Sequence, residues 1–350
     1  MKTKHLFNIF AALALMALTA TCGRLSDSAD NASSVVLFEQ GCYPYVVHHE
    51  GHLYYTMQVN TADTIALWEA ESLEQLARGQ KRTLWTSQSD SMQHFWSPEL
   101  HRLNGHWYLY FEGDDGNTDN HHIYVMECQG DNPMKDDFVM KGAIMTNPEW
   151  NYGIHPSVIE LPTGQIYLFW SGWPKRRAET ETQCIYIAHM ANPWTIDSER
   201  VMLSSPSMEW ERQWINPDGN RSAYPIYVNE NPEPFLSPDG KRLFVAYSAS
   251  GVWTVYQSLG LLSVPLSANL LDANAWTKSS EPLFRSDSVG EPSTGNVCLV
   301  NAPDGTTRVV YEAKWRHNAE SREVRQIRMQ PISWTPDGTP LFGQPATAVH

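Results

Sequence analysis

The sequence predicts an all-β chain folded as a five-bladed β-propeller. A tight turn carrying glycine, followed by alternating or aromatic residues, recurs as HHEGHLYYT, RLNGHWYLYF, LPTGQIYLFW, SPDGKRLFVAY and APDGTTRVVYE. Asn-Gly and Asp-Gly turns between such runs are strong hairpin signals. The copies lie roughly 50–80 residues apart, which is near the size of a four-stranded blade with variable loops. Helical periodicity is scarce after residue 35, apart from the short stretch ESLEQLARG.

Each turn also follows a similar strand, so every unit begins as strand, turn, strand. The four clearest copies of this first strand read YPYVV, SPELH, HPSVI and NPEPF, and TGNVCLV takes the same place in the fifth unit. The proline near the start of four copies stands where a missing N–H group costs little. Further strands are predicted at IALWEA, HIYVMEC, CIYIAHM, LGLLSV and IRMQPI.

The innermost strands of a propeller line a central channel, and their first residues meet at one mouth of it. The residues predicted to converge there are Tyr43, Ser97, His155, Glu230 with Asn231, and Asn296. Two interpretations remain open at this point. These polar groups form a ligand site, or they hold only water and one another.

The N-terminus has the features of an export signal. A basic start, MKTKH, precedes the apolar run LFNIFAALALMALTA, which is short for a transmembrane helix. The run ends at Thr21-Cys22-Gly23, where a cysteine is typical of a bacterial lipoprotein cleavage site. We therefore predict a signal segment over residues 1–22 with lipidation of Cys22, a polar linker over 23–34 and the propeller over 35–350.

Export is expected whether or not Cys22 is lipidated, since the alternative is a simple cleaved signal peptide. The chain is then lipid-anchored in the bacterial cell envelope or on the cell surface, or else periplasmic or secreted. Membrane contact is expected only through the lipid anchor. Export also implies an oxidising compartment. Cys42 and Cys298 lie on or beside the inner strands of the first and last blades, where they form either a disulfide or two buried thiols.

The amino-acid composition limits the kinds of binding partner that the chain can have. Hydrophobic residues make up 42% of the 350 residues and charged residues 18%, which is a globular composition with ample material for a core. The net charge of −14 argues against a nucleic-acid partner. The histidine pairs His48–His49 and His121–His122 are predicted to be solvated, since runs of two histidines usually lie at the surface, and their spacing does not suit a zinc site. Neither a metal nor another cofactor is expected.

The order and spacing of several stretches resemble glycoside hydrolase family 43, in particular its α-L-arabinofuranosidase-type members. The stretches are FWSPELHRLNGHWYLYFEGDDG, PSVIELPTGQIYLFWSGW, IYIAHMANPWTI, YVNENPEPFLSPDG, YSASGVWT with SLGLLSV, and MQPISWTPDGTPLFG. The resemblance runs over nearly the whole mature chain, from about residue 38 to 344. It implies a five-bladed propeller, hydrolysis of O-glycosyl bonds and an arabinose-containing plant oligosaccharide or polysaccharide as the partner.

Hydrolysis with inversion requires a carboxylic acid and a carboxylate base about 6.5–9.5 Å apart. The resemblance assigns the acid to Glu230 in VNENPE. The family places its base, an Asp, where GCYPYVV has Tyr43, and a second Asp that tunes the acid where YGIHPSVI has His155. Asn296 stands where the final blade usually carries a histidine. Three further residues match places where the family packs against or contacts sugar, namely Trp96, Trp253 and Arg328.

Three hypotheses follow from this pattern. The chain is a glycosidase with Glu230 as acid and an unorthodox base, a catalytically impaired propeller that binds glycan in the same pocket, or a scaffold without a glycan ligand. Each of these residues also has a purely structural interpretation. Trp96 and Trp253 could belong to the core, and Glu230 could form a salt bridge with an arginine such as Arg328. The replacements Tyr43, His155 and Asn296 remain polar, which favours a working pocket. We predict weak or undetectable turnover of standard arabinofuranosides with sugar binding retained.

Overall fold

A computed structural model describes most of the chain beyond the predicted linker. The described residues are 34–58, 64–87, 92–149, 151–175, 182–213, 227–252, 254, 256–285, 293–315, 324–346 and 348–349. Their regular secondary structure consists almost entirely of β-strands, as predicted. The helical content of these residues is limited to 3₁₀ segments at Leu73–Arg78, Thr118–Asn120, Glu209–Glu211 and Ala273–Ala275. None of the described helices is long and apolar enough to cross a membrane.

The strands assemble into five antiparallel blades, each numbered here from the channel outward. Blade I contains β2 Cys42–His49, β3 His52–Gln58, β4 Thr64–Ala70 and β5 Gln80–Thr86. Blade II contains β6 Gln93–Leu103, β7 His106–Asp114, β8 His122–Cys128 and β9 Phe138–Ala143. Blade III contains β10 Ile154–Glu160, β11 Ile166–Gly172 and β12 Thr182–Asn192, with β13 Thr195–Ile196 and β14 Val201–Ser204 both paired to β12.

The last two blades complete the set. Blade IV contains β15 Tyr227–Leu236, β16 Arg242–Ala249, β17 Ser258–Pro265 and β18 Thr277–Lys278. Blade V contains β19 Ser293–Asn301, β20 Thr307–Trp315 and β21 Val324–Pro331, and takes its fourth strand from the start of the chain, β1 Ser34–Phe38. The short strands β22 Ser333–Trp334 and β23 Pro340–Leu341 pair with each other, and β24 Ala348–Val349 pairs with β1.

The propeller closes in two ways. Strand β1 is antiparallel to β21, with Val35 opposite Met329, so the beginning and the end of the propeller share one sheet. The first strands β2, β6, β10, β15 and β19 contact one another in that order, and β19 contacts β2 again. This closed ring of first strands lines the channel, as the recurring turns predict.

Apolar side chains fill the interfaces between neighbouring blades rather than the channel. Tyr55 of blade I packs in one cluster with Val310 of blade V, and Trp170 of blade III packs in another with Val125 of blade II. Equivalent clusters lie between blades I and II, III and IV, and IV and V. Burial of each such side chain is worth roughly 1.5–3 kcal/mol. Because the faces of the blades hold the fold together, the channel is free to carry polar groups.

Each first strand has a bulge at the position predicted to face the mouth. The residues at the five bulges have positive φ: Tyr43 at 52°, Ser97 at 43°, His155 at 52°, Asn231 at 53° and Asn296 at 44°. The strand register shifts at each of these points. Bulges redirect side chains and are common beside functional sites. The repetition in all five blades therefore belongs to the architecture of the mouth.

Side chains from the preceding blade hold three of these bulges in place. Backbone N–H groups donate from Tyr43 to Glu312 Oε1, from Asn231 to Ser171 Oγ at 2.9 Å, and from Asn296 to Ser248 Oγ at 2.8 Å. In each case the acceptor is on the second strand of the blade before, with blade V preceding blade I. These bonds compensate a backbone conformation that residues other than glycine adopt uncommonly.

Candidate active site at the channel mouth

The structure brings the predicted mouth residues together. Ser97 Oγ lies 2.6 Å from His155 Nδ1, and the rings of Tyr43 and His155 are 5.0 Å apart between centroids. His155 Nε2 is 3.7 Å from Glu230 Oε2. Asn296 is buried beside Ser248, whose hydroxyl donates to Asn296 Oδ1 at 3.3 Å. All five blades supply these residues and place them around one point at the mouth.

His155 lies between two carboxylates. Glu230 faces its Nε2 atom, and Glu112 Oε1 is 3.4 Å from its Nδ1 atom. Burial lowers the pKa of His155, but Glu230, Glu112 and Glu312 together outweigh burial, so that the net pKa is raised. Burial raises the pKa of Glu112 in spite of the opposing effects of His155 and His121. An imidazolium at this position neutralises part of the buried negative charge.

Tyr43 is held by two charged residues that sequence reasoning missed. Its N–H group is bound by Glu312, and Glu312 Oε2 accepts from Arg325 Nη1 at 3.3 Å. Burial raises the pKa of the Tyr43 phenol, Arg325 lowers it, and Glu230 and Glu312 raise it, leaving the pKa well above its ordinary value. The phenol is therefore neutral at physiological pH and can donate a hydrogen bond but not take up a proton from water.

A second ring of side chains lies two residues further along the first strands. It consists of Tyr45, Glu99, Ser157, Glu233 and Cys298. Glu99 Oε2 and His101 Nε2 share a hydrogen bond of 2.8 Å, and Glu233 Oε1 accepts from the Leu299 N–H group at 3.1 Å. Burial raises the pKa of both Glu99 and Glu233, and the proximity of Glu99 raises that of Glu233 further.

Sequence comparison identifies the family of this propeller. The chain matches the family profile described as Glycosyl hydrolases family 43 over residues 34–340. The chain belongs to glycoside hydrolase family 43. Within this family it is similar to an extracellular exo-α-(1→5)-L-arabinofuranosidase of Streptomyces avermitilis, with 31% identity over 98% of this chain and 70% of the relative. It is also similar to α-L-arabinofuranosidase 43 of Humicola insolens, with 29% identity over 97% of this chain and 68% of the relative.

Solved structures of the family have the same fold. The α-L-arabinofuranosidase from Lactobacillus brevis superposes with a TM-score of 0.80 and 30% identity, covering 90% of this chain and 98% of that chain. A thermostable family 43 glycoside hydrolase superposes with a TM-score of 0.68 and 17% identity, covering 89% of this chain and 95% of that chain. The second likeness concerns the fold alone.

The predicted sugar-contact residues have different surroundings in this family 43 propeller. Trp96 is partly exposed and stacks on His121 with ring centroids 4.0 Å apart, which suits the wall of a pocket. Arg328 is 1% exposed and donates to Gln326 Oε1. Its predicted contact with sugar is untested, and this burial argues against it. Arg325 is the arginine that reaches Tyr43. Trp253 and Cys22 lie outside the described residues.

Two other sequence-based expectations have an outcome in the structure. His121 was predicted to be solvated, and this is wrong: it is fully buried, 3.3 Å from Asp114 Oδ2, because the loop folds back beneath Trp96. Cys42 and Cys298 are free thiols, so of the two alternatives the structure has the unbonded one. The Cys298 thiol donates to the carbonyl oxygen of Val46 at 3.4 Å.

The residues missed at the mouth had a faint signal in the sequence. Glu112 and Glu312 interrupt otherwise apolar second strands, in YLYFEGD and RVVYEAK, and both are preceded by an aromatic residue. A lone carboxylate inside a buried strand indicates a specific partner. Among the described residues, there is no group of three or more His, Cys, Asp or Glu residues arranged to hold a metal ion.

Proposed function

We propose that this chain is an exported glycan-binding member of family 43 that recognises arabinose-containing plant oligosaccharide or polysaccharide at the channel mouth, with little hydrolysis. The segment 1–22 supports export, as does the relative from Streptomyces avermitilis, which is named extracellular. Anchoring through a lipid at Cys22 is part of the same proposal. The arabinose-containing ligand rests on the relatives, which are named arabinofuranosidases.

The proposal of weak hydrolysis rests on which residues stand at the channel mouth. Tyr43 and His155 stand at the positions that the family resemblance assigns to the base and to the tuning carboxylate. Two other carboxylates, Glu112 and Glu312, lie nearby, but they are 0% and 1% exposed and contact His155 and Arg325 respectively. Within the described part of the chain, the mouth therefore lacks a solvent-accessible carboxylate opposite Glu230.

His155 is a poor substitute for the base. Its raised pKa favours the protonated ring, and a general base must be unprotonated. Each ring nitrogen also faces a protein group, with Ser97 on one side and Glu230 on the other.

A second candidate function is a slow glycosidase that uses Glu230 as its acid. The retention of Glu230 at the mouth, 5% exposed, favours this candidate. Its base would have to come from residues outside the described ranges or from the substrate. The two functions differ in one measurable quantity, the turnover that depends on Glu230.

The test measures binding and turnover on the same preparations. Binding of α-1,5-linked arabinotriose is measured by calorimetry, and turnover is measured with aryl arabinofuranosides and the same trisaccharide. We expect binding by the native chain, turnover near background, and no further loss of turnover in Glu230→Gln. The exposed residue Glu71 supplies the matched control, Glu71→Gln.

A restoring variant makes the test stronger. Tyr43→Asp with His155→Asp returns both family carboxylates, and Glu112→Gln removes the like charge that would otherwise face the new Asp at the position of His155. Because general-base assistance is worth about 10²–10⁴-fold, this triple variant should gain turnover on that scale. Robust native turnover that Glu230→Gln abolishes would overturn the weak-hydrolysis proposal. Failure of every variant to bind any arabinose-containing ligand would overturn the glycan site.

A further inference from the structure

The turns that join the first and second strands of the blades gather on the side of the propeller opposite the channel mouth, which is called the turn face below. In blade I the bulge at Tyr43 is near the start of β2, and Gly51 follows the end of that strand. In blade III, His155 and Gly164 are placed in the same way around β10. The seven or eight residues of these strands separate the turn face from the mouth by roughly 25 Å.

Strand β1 enters the propeller from the side of the turn face. It is antiparallel to β21, with Val35 opposite Met329, and this level of the sheet corresponds to Cys298 on β19. Ser34 is therefore about two residues, roughly 7 Å, from the turn end of blade V and about six residues, roughly 20 Å, from its mouth end. Its Oγ atom donates to the Ala346 carbonyl oxygen at 2.8 Å, which fixes the first residue of the strand.

The predicted lipid anchor is close to this point in the sequence. Cys22 comes twelve residues before Ser34, and twelve residues reach at most roughly 40 Å when fully extended. If the mouth faced the bilayer, the height of blade V between Ser34 and the mouth would take up about half of that reach. Such an orientation restricts the connection to extended conformations, which costs entropy. Orientation of the turn face toward the bilayer imposes no comparable restriction.

The turn face also carries apolar surface at blades IV and V. A groove of about 780 Å³ opens there, and Phe235, Leu299, Ile332 and Trp334 contribute to its lining. Trp334 is on β22, which pairs with β23, and Leu341 of β23 is 48% exposed. A groove of this composition beside an exposed leucine is suited to an apolar or amphipathic surface.

Gln330 of β21 joins this hairpin to the start of β1. Its Nε2 atom donates to the Phe342 carbonyl oxygen at 3.0 Å, and its Oε1 atom accepts from the Ala346 N–H group at 3.0 Å. Ala346 is also the residue whose carbonyl oxygen accepts from Ser34. Leu341, which precedes Phe342, is therefore held on the same side of the propeller as the point where β1 begins.

We propose that the turn face is the surface with which the lipid-anchored chain rests on its membrane, so that the channel mouth opens away from the bilayer. The inference rests on the proposed function, since it requires lipidation of Cys22. Leu341 supplies an apolar contact, and Trp334 is of the residue type that is enriched at the level of the headgroups. The net charge of −14 gives no attraction to anionic lipid, so the contact depends on the anchor. Polymeric glycan then approaches the mouth without obstruction by the membrane.

Energy transfer from a fluorescent label on the protein to a labelled bilayer tests this orientation. The full chain is extracted from cell membranes in detergent and reconstituted in phosphatidylcholine vesicles that contain a headgroup-labelled acceptor lipid. Donor labels are attached through Thr163→Cys, in the turn after β10, and through Met145→Cys, at a 61% exposed position beyond the mouth end of β9. Because the two faces are roughly 25 Å apart, transfer should be at least about twofold more efficient from position 163. The native chain treated with the same dye gives the background from its own thiols.

A matched pair of substitutions tests the contact itself. Leu341→Asp places a charge on the surface that faces the bilayer, so the ratio of the two transfer efficiencies should fall toward one. Met202→Asp makes the same change at a 44% exposed position on the outer strand of blade III and should leave the ratio as it is in the native chain.

The outcomes separate the orientation from the anchor. More efficient transfer from position 163, reduced by Leu341→Asp and not by Met202→Asp, supports the proposal. Equal transfer from the two positions, more efficient transfer from position 145, or a ratio that Leu341→Asp leaves unchanged would overturn it, while lipidation of Cys22 stands. If the native chain stays in solution when the detergent is removed, the anchor in the proposed function fails, and the membrane contact with it.

Discussion

Replacement of His155 by glutamine should destabilise the propeller because it removes a buried cation. His155 is 3% exposed, and glutamine has a similar reach and can keep a hydrogen bond to Ser97. The charge, however, is lost. Glu112 and Glu230, which are 0% and 5% exposed, then face each other across a neutral side chain.

The expected loss is about 3 kcal/mol of unfolding free energy. At an effective dielectric constant of about 20, two unit charges near 3.5 Å apart interact by roughly 4–5 kcal/mol. The atoms that face His155 in Glu112 and Glu230 are 3.4 and 3.7 Å from its ring nitrogens. Desolvation of the imidazolium offsets part of this attraction, and removal of one partner from a buried pair typically costs about 3–5 kcal/mol. We take the lower end because Glu230 lies at the mouth.

The loss should depend on pH in a defined direction. The pKa of His155 is raised in the folded chain, so its contribution to stability is complete below the unfolded pKa near 6.5 and is lost as pH rises through the folded pKa. Guanidinium unfolding followed by tryptophan fluorescence should therefore show a larger difference between wild type and His155→Gln at pH 6 than at pH 9. Addition of Glu112→Gln should restore part of the loss, because one of the two uncompensated carboxylates disappears.

A surface pair provides the control. His189 Nδ1 lies 2.6 Å from Asp197 Oδ1, but these side chains are 28% and 44% exposed. Such exposed pairs are worth about 0–1 kcal/mol, so His189→Gln should change stability little. A His155→Gln loss no larger than that of His189→Gln, or one that is the same at pH 6 and pH 9, would refute the charge argument.

Two further predictions concern the second ring and the closure of the propeller. The pKa of Glu233 is raised in the folded chain, so Glu233 holds a proton there at pH values where it has lost it in the unfolded chain. The free energy of unfolding should therefore decrease as pH rises, by up to about 1.4 kcal/mol per pH unit for this one proton. Glu233→Gln should flatten the stability profile between pH 5 and pH 9, and parallel profiles would contradict this. A chain that begins at residue 40 lacks β1 and leaves β21 with an open edge, so it should unfold at lower denaturant and aggregate, whereas a chain that begins at residue 34 should not. Equal midpoints for the two chains would show that β1 does not close the propeller.

The sequence by itself determined the fold and the family. Five glycine turns with their flanking strands predicted the blade count, because hairpin signals are local and each copy carries its own. The structure confirms the first and third strands of every blade. The fourth strand of blade V was not predicted, since β1 is separated from β21 by nearly the whole chain and only ring closure makes them neighbours.

The tertiary structure decided what surrounds the mouth. The sequence predicted, through the family resemblance, that Tyr43 and His155 stand in place of two family carboxylates, and it placed Glu230 with them. It could not show that Glu112 and Glu312 reach the same point, because they come from the second strands of other blades. The charge of His155 depends on those carboxylates, through contacts that join residues far apart in the chain. Local pattern fixes which strands form, whereas the protonation of a buried group is set by every charge within a few ångströms of it.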